Sequence, residues 1–414
     1  MNRREFLAAS TACAIYRVTP GVHREEQNNA QLLEKALRDK LMHDSLRPQY
    51  HLLPQAGFVM DPCAPRFFHG KYHVFFHGDF GGPGWQHAVS SDLMHWEHLP
   101  IALAPTPNSY DSYGTFTGSV LPGTDDPSII YAGVTRSSRA RETIRGADLR
   151  EVQCIATTTD PELRSWKKLA KPVIDAPPAG LKIVGFRDPF CWKDGDNWYV
   201  GVGSGFPQTG GAVLLYRSTD ARHWEYLHPL AQGVWNGRAF TNPVGTGEMW
   251  ECPDFFPLGD KHVLIYSTEH TTFWEVGTFD RNELRFHSER RGFLDYGAYY
   301  APKTQADNHG RRIIWGWVQE TRSQEAIRAA GWKGAISLPR VLTLGPDNEL
   351  RMEVPAEFES LRTNTAFVKN PRDHKELDVA LSRAVIHNRA GEIVCNFRAN
   401  RLDCGLELLL GPPA

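Results

Sequence analysis

The stretch SSDLMHWEHL, residues 90–99, has a pattern that returns at a regular spacing along the chain and therefore indicates the fold. A Ser/Thr-x-Asp turn followed by Trp recurs as TTDPELRSWKKL (158–169) and STDARHWEYL (218–227), and TFDRNELRF (278–286) repeats the turn without the Trp. The aspartates fall at positions 92, 160, 220 and 280. Self-similarity at such a spacing indicates repeated structural units.

Each repeat also contains one strongly apolar run of strand length. The runs are YHVFFH (72–77), IIYAGV (129–134), WYVGVG (198–203), HVLIYS (262–267) and RIIWGW (312–317). Aromatic and β-branched runs between Gly, Pro and Asp turns are typical of antiparallel strands. They predict an all-β fold, a five-bladed β-propeller of four-stranded blades over residues 49–346. A β-sandwich, the rival architecture, gives no reason for a Ser/Thr-x-Asp turn at this spacing.

The composition excludes several classes of partner. The 414 residues are 41% hydrophobic with a formal net charge of −2, so a large core is expected without attraction to nucleic acid. No apolar run approaches the roughly 20 residues that span a bilayer. The seven cysteines contain no CxxC pair, and a zinc site is therefore not indicated. We expect neither a metal nor a cofactor.

The N-terminal region differs from the repeats. Residues 1–25 place Arg3 and Arg4 before a mostly apolar stretch, which predicts a twin-arginine export signal and a periplasmic or secreted protein. Residues 26–48 have apolar positions at helical spacing. They predict one amphipathic helix and a linker ahead of the propeller.

Three carboxylates precede apolar runs at nearly equal distances. Asp61 and Glu251 each stand 11 residues before a run, and Asp188 stands 10 residues before one. If each run is the second strand of its blade, all three acids lie on innermost strands, which line the central channel of a propeller. A single Asp-Pro dipeptide is usually only a turn. Three acids at nearly the same distance from the following apolar run are expected to lie at the same height along the propeller axis, around one central funnel.

Acids that converge in one funnel repel one another, which is expected to raise the pKa of at least one of them. One carboxyl then stays protonated as a general acid while another stays ionised as a nucleophile. Glycoside hydrolysis needs such a pair, and in a retaining enzyme the two carboxyl groups stand roughly 5–5.5 Å apart. The pattern therefore favours glycosidase chemistry.

Segments along most of the chain resemble glycoside hydrolase family 32, the group of invertases, levanases and inulinases. The segments are RPQYHLLPQAGFVMDP (47–62), WQHAVSSDLMHWEHLPIAL (85–103), GTFTGSV (114–120), FRDP (186–189), WECPD (250–254), YYAPKTQADNHGRRIIWGW (299–317) and GWKGAISLPRVLTL (331–344). The resemblance implies a retaining β-fructofuranosidase without a cofactor. Its substrate would be a carbohydrate, either sucrose or a fructan such as levan or inulin.

The resemblance also implies roles for single residues. Asp61 would be the nucleophile, Glu251 the general acid/base and Asp188 the residue that stabilises the transition state. The sugar would be bound by side chains of the matched segments, namely Arg187, Trp85, Phe116, Thr117 and Cys252, and by His77, which stands where the family has a glutamine after the first strand of apolar residues. Two roles are possible for Trp85: it either forms an apolar wall of the sugar pocket or packs inside the blade.

The chain departs from the family pattern beside the predicted nucleophile. The family has Trp-Met-Asn-Asp-Pro-Asn-Gly where this chain has Phe-Val-Met-Asp-Pro-Cys-Ala, so Met60 and Cys63 replace two asparagines. Loss of hydrogen-bonding groups weakens sugar recognition when their partners stay buried. Two alternatives stay open: a pentosidase of arabinofuranosidase or xylosidase type on the same propeller, and a sugar-binding propeller without catalysis.

The family's propeller is followed by a β-sandwich module. LRMEVPAEFESLR (350–362) resembles the beginning of that module, so residues 347–414 are expected to start a C-terminal β-sandwich-like segment that is short or truncated. The sequence does not distinguish sucrose from levan or inulin, or hydrolysis from fructosyl transfer. It makes no prediction of the oligomeric state.

Overall fold

The computed structural model describes residues 36, 39–41, 43–44, 46–137, 148–237, 246–363, 369, 373–382 and 391–394. The chain divides into two compact units, residues 1–360 and 361–414. The predicted export signal, residues 1–25, lies outside the described residues, and it stays a prediction.

The first unit contains five antiparallel sheets arranged as the predicted five-bladed propeller. Blade 1 consists of β1 (Gly57–Phe68), β2 (Lys71–Gly78), β3 (Gly84–Ser90) and β4 (Glu97–Leu103). Blade 2 consists of β5 (Gly114–Leu121), β6 (Ser128–Arg136), β7 (Leu149–Thr157) and β8 (Lys167–Lys168). Blade 3 consists of β9 (Arg187–Asp194), β10 (Asn197–Phe206), β11 (Gly210–Ser218) and β12 (Glu225–Gln232).

Blade 4 consists of β13 (Glu251–Leu258), β14 (Lys261–Thr268), β15 (Thr271–Asp280) and β16 (Arg285–Phe293). Blade 5 consists of β17 (Tyr299–Ala306), β18 (Arg312–Val318), β21 (Arg340–Leu344) and β22 (Leu350–Glu353). The first strands of neighbouring blades, β1, β5, β9, β13 and β17, contact one another in a closed ring. They are therefore the innermost strands around the axis, as predicted.

The five apolar runs of the sequence are the second strands β2, β6, β10, β14 and β18. Both faces of each run are buried because a blade packs against a neighbour on either side. Between blades 1 and 2, for example, Phe75 and Trp85 pack against Tyr131 and Val152 in one apolar cluster. Continuous apolar runs, rather than alternating ones, follow from this double burial.

The repeated Asp turns connect the third and fourth strands of blades 1 to 4. Oδ1 of Asp220 accepts hydrogen bonds of 2.8 Å from the backbone N–H groups of Arg222 and His223. Asp92 accepts hydrogen bonds from the two equivalent N–H groups of its own turn. An Asp side chain that binds the backbone two residues ahead fixes a tight turn, and this explains why the signature repeats.

Blades 1 and 5 are joined by short pairings. After β18 the chain forms α1 (Gln324–Ala330) and then β19 (Trp332–Lys333), which pairs in parallel with the beginning of β1. The next strand, β20 (Ala335–Ile336), pairs with β18. β22 lies beyond residue 346, the predicted end of the propeller, yet it is the outermost strand of blade 5. That predicted boundary was too early because the family-like segment at 350 begins with this strand.

Little of the predicted N-terminal helix is described, but Ala36 and residues 39–41 are helical. Leu41 is buried with Leu53 and Trp332. A 3₁₀ helix, Ala356–Leu361, follows blade 5. In the second unit the described residues include α2 (His374–Leu381), and most of the predicted sandwich-like segment lies outside them. Among the described helices none is long and apolar enough to cross a membrane.

Candidate active site

All five innermost strands contain a β-bulge near their first residues. In β1, Met60 and Asp61 together stand opposite the single residue His77 of β2. The equivalent pairs are residues 116–117 on β5, 188–189 on β9, 252–253 on β13 and 301–302 on β17. A bulge leaves its extra residue unpaired and turns side chains in a new direction. The five bulges therefore form one ring of redirected side chains at one end of the axis.

The three predicted acids lie on this ring, but not at one equivalent position. Glu251 is the last paired residue before its bulge, Asp188 is a first bulge residue and Asp61 is a second bulge residue. The prediction that the three acids occupy equivalent positions on their strands was wrong by up to two residues. The reason is that a bulge breaks the alternation of the strand, so distance from the next strand does not fix the direction of a side chain.

Cys252 connects the two aspartates. Its backbone N–H donates a hydrogen bond of 3.0 Å to Oδ2 of Asp188. Its thiol Sγ lies 3.5 Å from that same oxygen and 3.8 Å from Oδ2 of Asp61. Asp188 and Cys252 both have left-handed backbone conformations, with φ of 59° and 49°. Such conformations are strained for residues other than glycine, and they concentrate at functional sites.

Thr117 holds the Asp61 side chain from blade 2. Its Oγ1 donates a hydrogen bond of 3.1 Å to Oδ2 of Asp61, and it lies 3.3 Å from Nε2 of His77. Asp61 and Asp188 are buried, with exposed fractions of 1% and 0%. The predicted sugar-binding residues Thr117, His77 and Cys252 are therefore all gathered around Asp61.

Glu251 is held by two donors. Nη2 of Arg187 donates a hydrogen bond of 2.7 Å to Oε1, and Oη of Tyr300 donates one of 2.6 Å to Oε2. Arg187 also donates from Nη1 to Glu151 at 2.9 Å, and its Nε lies 3.9 Å from Asp188. Arg187 thus links the carboxylate of blade 4 to the buried acids of blades 2 and 3.

The two aromatic residues predicted to bind sugar differ in position. Phe116 meets the ring of His77 edge-on, with centroids 6.4 Å apart. Trp85 is fully buried between Phe75 and Tyr131, and its Nε1 donates a hydrogen bond of 3.2 Å to the Phe116 carbonyl. Of its two possible roles, the structure favours packing inside the blade, because the indole ring contacts the rings of Phe75 and Tyr131.

The replacements beside the predicted nucleophile are buried. Met60 is 7% exposed, and Cys63 is completely buried in the cluster that contains Phe75 and Trp85. Burial first, and then the charge of Asp61, raises the pKa of the Cys63 thiol well above its usual range. The Cys63 thiol thus lies between this apolar cluster and Asp61, whose carbonyl is 3.5 Å from Sγ.

Three further residues belong to the site and were not singled out from the sequence. Tyr300 stands on β17 at the position that Glu251 and Arg187 occupy on their strands, so the bulge alignment identifies it. Glu151, on the third strand of blade 2, has no such signal. Lys303 is 1% exposed, and its Nζ donates a hydrogen bond of 2.7 Å to the Pro253 carbonyl.

One group of side chains has the geometry of a metal site in the described part of the chain. Ligand atoms of Asp280, Glu283 and His287 lie within 4.8 Å of one another, at the turn between β15 and β16. This turn is at the opposite end of blade 4 from Glu251. Since Asp280 already accepts hydrogen bonds from backbone N–H groups of that turn, the cluster is explained as part of the turn.

The fold and the site define a class of protein: a five-bladed propeller with buried carboxylates gathered at one end of its axis. Residues 51–353 match the family model described as glycosyl hydrolases family 32 N-terminal domain. The chain therefore belongs to glycoside hydrolase family 32, and the resemblance found in the sequence is confirmed.

Curated relatives support the same family. A raffinose invertase from Escherichia coli is 34% identical over 339 residues, which are 76% of this chain and 66% of the relative. A fructan 1-exohydrolase from Hordeum vulgare is 34% identical over 353 residues, which are 76% of this chain and 55% of the relative. The chain thus spans less than two thirds of the length of these relatives.

Solved structures show the same architecture. A GH32 beta-fructofuranosidase from Bombyx mori has a TM-score of 0.66 and 29% identity, covering 82% of this chain and 72% of its own. Fructan 1-exohydrolase IIa from Cichorium intybus has a TM-score of 0.67 and 30% identity, and the match covers 78% of this chain and 63% of the exohydrolase. A variant of the first was solved with sucrose, and a variant of the second with 1-kestose.

Proposed function

We propose that this chain is a β-fructofuranosidase that releases terminal β-D-fructofuranosyl units from sucrose or from fructans of the levan and inulin type. The observation that supports it best is the arrangement of the acids. Asp61 and Asp188 share the contacts of Cys252, and Glu251 is oriented separately by Arg187 and Tyr300. Two carboxyl groups in different environments are what glycoside hydrolysis requires.

In the proposed mechanism Asp61 attacks C2 of the fructosyl unit and forms a covalent ester while the glycosidic C–O bond breaks. Glu251 donates its proton to the departing oxygen. It then removes a proton from water, which attacks C2, releases fructose and restores Asp61 as a carboxylate. Thr117 and the Cys252 thiol hold Asp61 in place, and Asp188 accepts hydrogen bonds from sugar hydroxyls. The configuration at C2 is retained because it is inverted twice.

The test is fructose release from sucrose, levan and inulin by the full chain. Asp61→Asn and Glu251→Gln are expected to lower kcat by at least about 10³-fold, because each removes one half of the acid and nucleophile pair. Asp220→Asn is the matched control, since it changes an aspartate of a turn far from the funnel. With methanol added, a retaining enzyme also forms methyl β-D-fructofuranoside.

The other outcomes identify the alternatives. Release of arabinose or xylose from aryl pentosides, without fructose from any of the three substrates, indicates the pentosidase. Saturable sugar binding by calorimetry without turnover indicates a binding propeller. An α-configured methanolysis product contradicts the retaining mechanism even where fructose is released.

We also propose that residues 1–25 direct export through the twin-arginine pathway. The support is the pair Arg3 and Arg4 ahead of an apolar stretch. Replacing both with lysine is expected to leave the protein inside the cell, measured by fractionation, whereas Arg24→Lys serves as the control. Equal export of both variants contradicts the proposal.

A further inference from the structure

Thr117 of blade 2 stands between two polar groups of blade 1. Its Oγ1 donates a hydrogen bond of 3.1 Å to Oδ2 of Asp61 and lies 3.3 Å from Nε2 of His77. Thr117 is fully buried, and it is the second bulge residue of β5, as Asp61 is on β1. His77 lies on β2, opposite the bulge that contains Asp61. A chain of polar contacts therefore runs from β2 across Thr117 and back to β1.

The direction of these hydrogen bonds follows from the number of protons. A threonine hydroxyl has one proton to donate and two lone pairs that accept. In the proposed mechanism Asp61 reacts as a carboxylate, which only accepts, so the Thr117 proton points to Asp61. The His77 nitrogen beside the same hydroxyl must then be the donor. Both the neutral Nε2–H tautomer and the imidazolium meet this requirement.

The Cys63 thiol is a further hydrogen-bonding neighbour of Thr117, but it does not change this order. Burial first, and then the charge of Asp61, raises the pKa of the thiol well above its usual range. Sulfur is a weak acceptor, whereas hydrogen bonds to a carboxylate are among the strong ones. The Thr117 proton is therefore directed to Asp61 rather than to Cys63.

The ring of His77 is held in place by aromatic neighbours. Phe116 meets it edge-on, with centroids 6.4 Å apart and an interplanar angle of 86°. The Phe116 carbonyl accepts a hydrogen bond of 3.2 Å from the indole of Trp85, which is the β3 partner of His77. A side chain whose orientation is fixed by packing can hold another group precisely. His77 is thus suited to fix the Thr117 hydroxyl.

We propose that His77 is a positioning residue that acts through Thr117: its Nε2–H group donates to the Thr117 hydroxyl, which directs its own proton to Asp61. This inference depends on the proposed glycosidase function. A hydroxyl can rotate, and a donor on its lone pair fixes its direction and strengthens the hydrogen bond that it donates. His77 touches no reacting atom in this scheme, in contrast to the sugar-binding role that the family resemblance implies.

The test is a double-mutant cycle in kcat and KM on the substrate from which the wild type releases fructose. Thr117→Val keeps the shape of the side chain and removes the hydroxyl, and it is expected to lower kcat about 10- to 100-fold. His77→Phe keeps a ring and removes the donor. It is expected to lower kcat about 3- to 10-fold with KM within about twofold of the wild type. The double variant is expected to equal Thr117→Val within about twofold, because His77 then has no hydroxyl to act through.

Losses that multiply in the double variant overturn the proposal, because His77 then acts independently of Thr117, as a direct sugar ligand does. An unchanged kcat in His77→Phe overturns it as well. Thr158→Val is the matched control for removal of a buried threonine hydroxyl. Thr158 belongs to the Asp160 turn at the other end of blade 2, so kcat and KM are expected to stay unchanged.

A second measurement needs neither substrate nor a Thr117 variant. Nitrogen-15 NMR of the histidine-labelled full chain, with the His77 signals assigned by their loss in His77→Phe, reports which ring nitrogen is protonated. We expect a proton on Nε2. A neutral Nδ1–H tautomer overturns the proposal, because Nε2 then competes for the Thr117 proton. A folded wild type that releases no fructose from sucrose, levan or inulin contradicts the proposed function, whereas the tautomer still decides the hydrogen-bond order.

Discussion

Tyr300 donates a hydrogen bond of 2.6 Å from its hydroxyl to Oε2 of Glu251, across the boundary between blades 5 and 4. Together with Arg187 on the other oxygen, it fixes the plane of the carboxyl group. An acid that must first donate and later accept a proton depends on such orientation, because proton transfer requires hydrogen-bond geometry.

Tyr300→Phe is expected to lower kcat about 10- to 100-fold with little change in KM. A hydrogen bond to a charged group is worth about 1.5–3 kcal/mol, and here it orients a group that acts in the reaction itself. Steady-state kinetics on sucrose or inulin measure the effect. Tyr296→Phe is the control, since Tyr296 is 90% exposed. An unchanged kcat in Tyr300→Phe contradicts the orienting role.

Glu151→Gln is expected to lower the free energy of unfolding by about 3 kcal/mol, because it leaves the Arg187 charge partly uncompensated in a buried place. Glu151 is 3% exposed and accepts hydrogen bonds from Arg187 and from the Phe186 backbone. The matched control is Glu225→Gln, which breaks an exposed pair with Arg217 and is expected to cost less than about 1 kcal/mol. Urea unfolding compares the two. Equal losses of unfolding free energy in the two variants would contradict a stabilising role of the Glu151–Arg187 ion pair.

Acidification is expected to destabilise the propeller through a buried histidine pair. His73 Nδ1 lies 3.0 Å from Nε2 of His87, and both rings are buried. Burial lowers the pKa of His73 to about 4 and that of His87 well below its usual value. Between pH 6.5 and 4 the unfolded chain therefore binds more protons than the folded one.

The free energy of unfolding is expected to fall by about 3 kcal/mol for His73 alone as the pH drops through that window. Urea unfolding at pH 7.5, 6 and 4.5 measures the loss. The double variant His73→Phe/His87→Phe is expected to flatten the dependence. Constant stability of the wild type over this range contradicts the prediction.

Asp92→Ala and Asp220→Ala are each expected to cost about 1 kcal/mol of stability, since each removes hydrogen bonds to backbone N–H groups of a turn. The two turns belong to blades 1 and 3 and share no partner. Their costs are therefore expected to add within about 0.5 kcal/mol in the double variant. Thermal unfolding measures the two losses of stability. A double variant that is no less stable than either single variant would contradict the prediction that the two turns contribute independently.

Much of the site follows from the sequence alone. The repeated Asp turns and apolar runs were enough to place Asp61, Asp188 and Glu251 on innermost strands, because strand order within a blade follows chain order. The sequence did not decide between the two possible roles of Trp85. An aromatic residue next to a matched motif has the same sequence pattern whether it faces a sugar or the neighbouring blade, and here it faces Tyr131.

Local periodicity and turn chemistry were enough to predict the blades, their repeat and the strands that line the axis. The way in which the side chains converge follows from the closed propeller instead. The bulge of each innermost strand sets the direction of Glu251, Asp188 and Asp61 from three different positions. The contacts of Glu151 with Arg187 and of Lys303 with Pro253 join residues from different blades. Such contacts form only when the ring of blades closes, and no spacing along the chain encodes them.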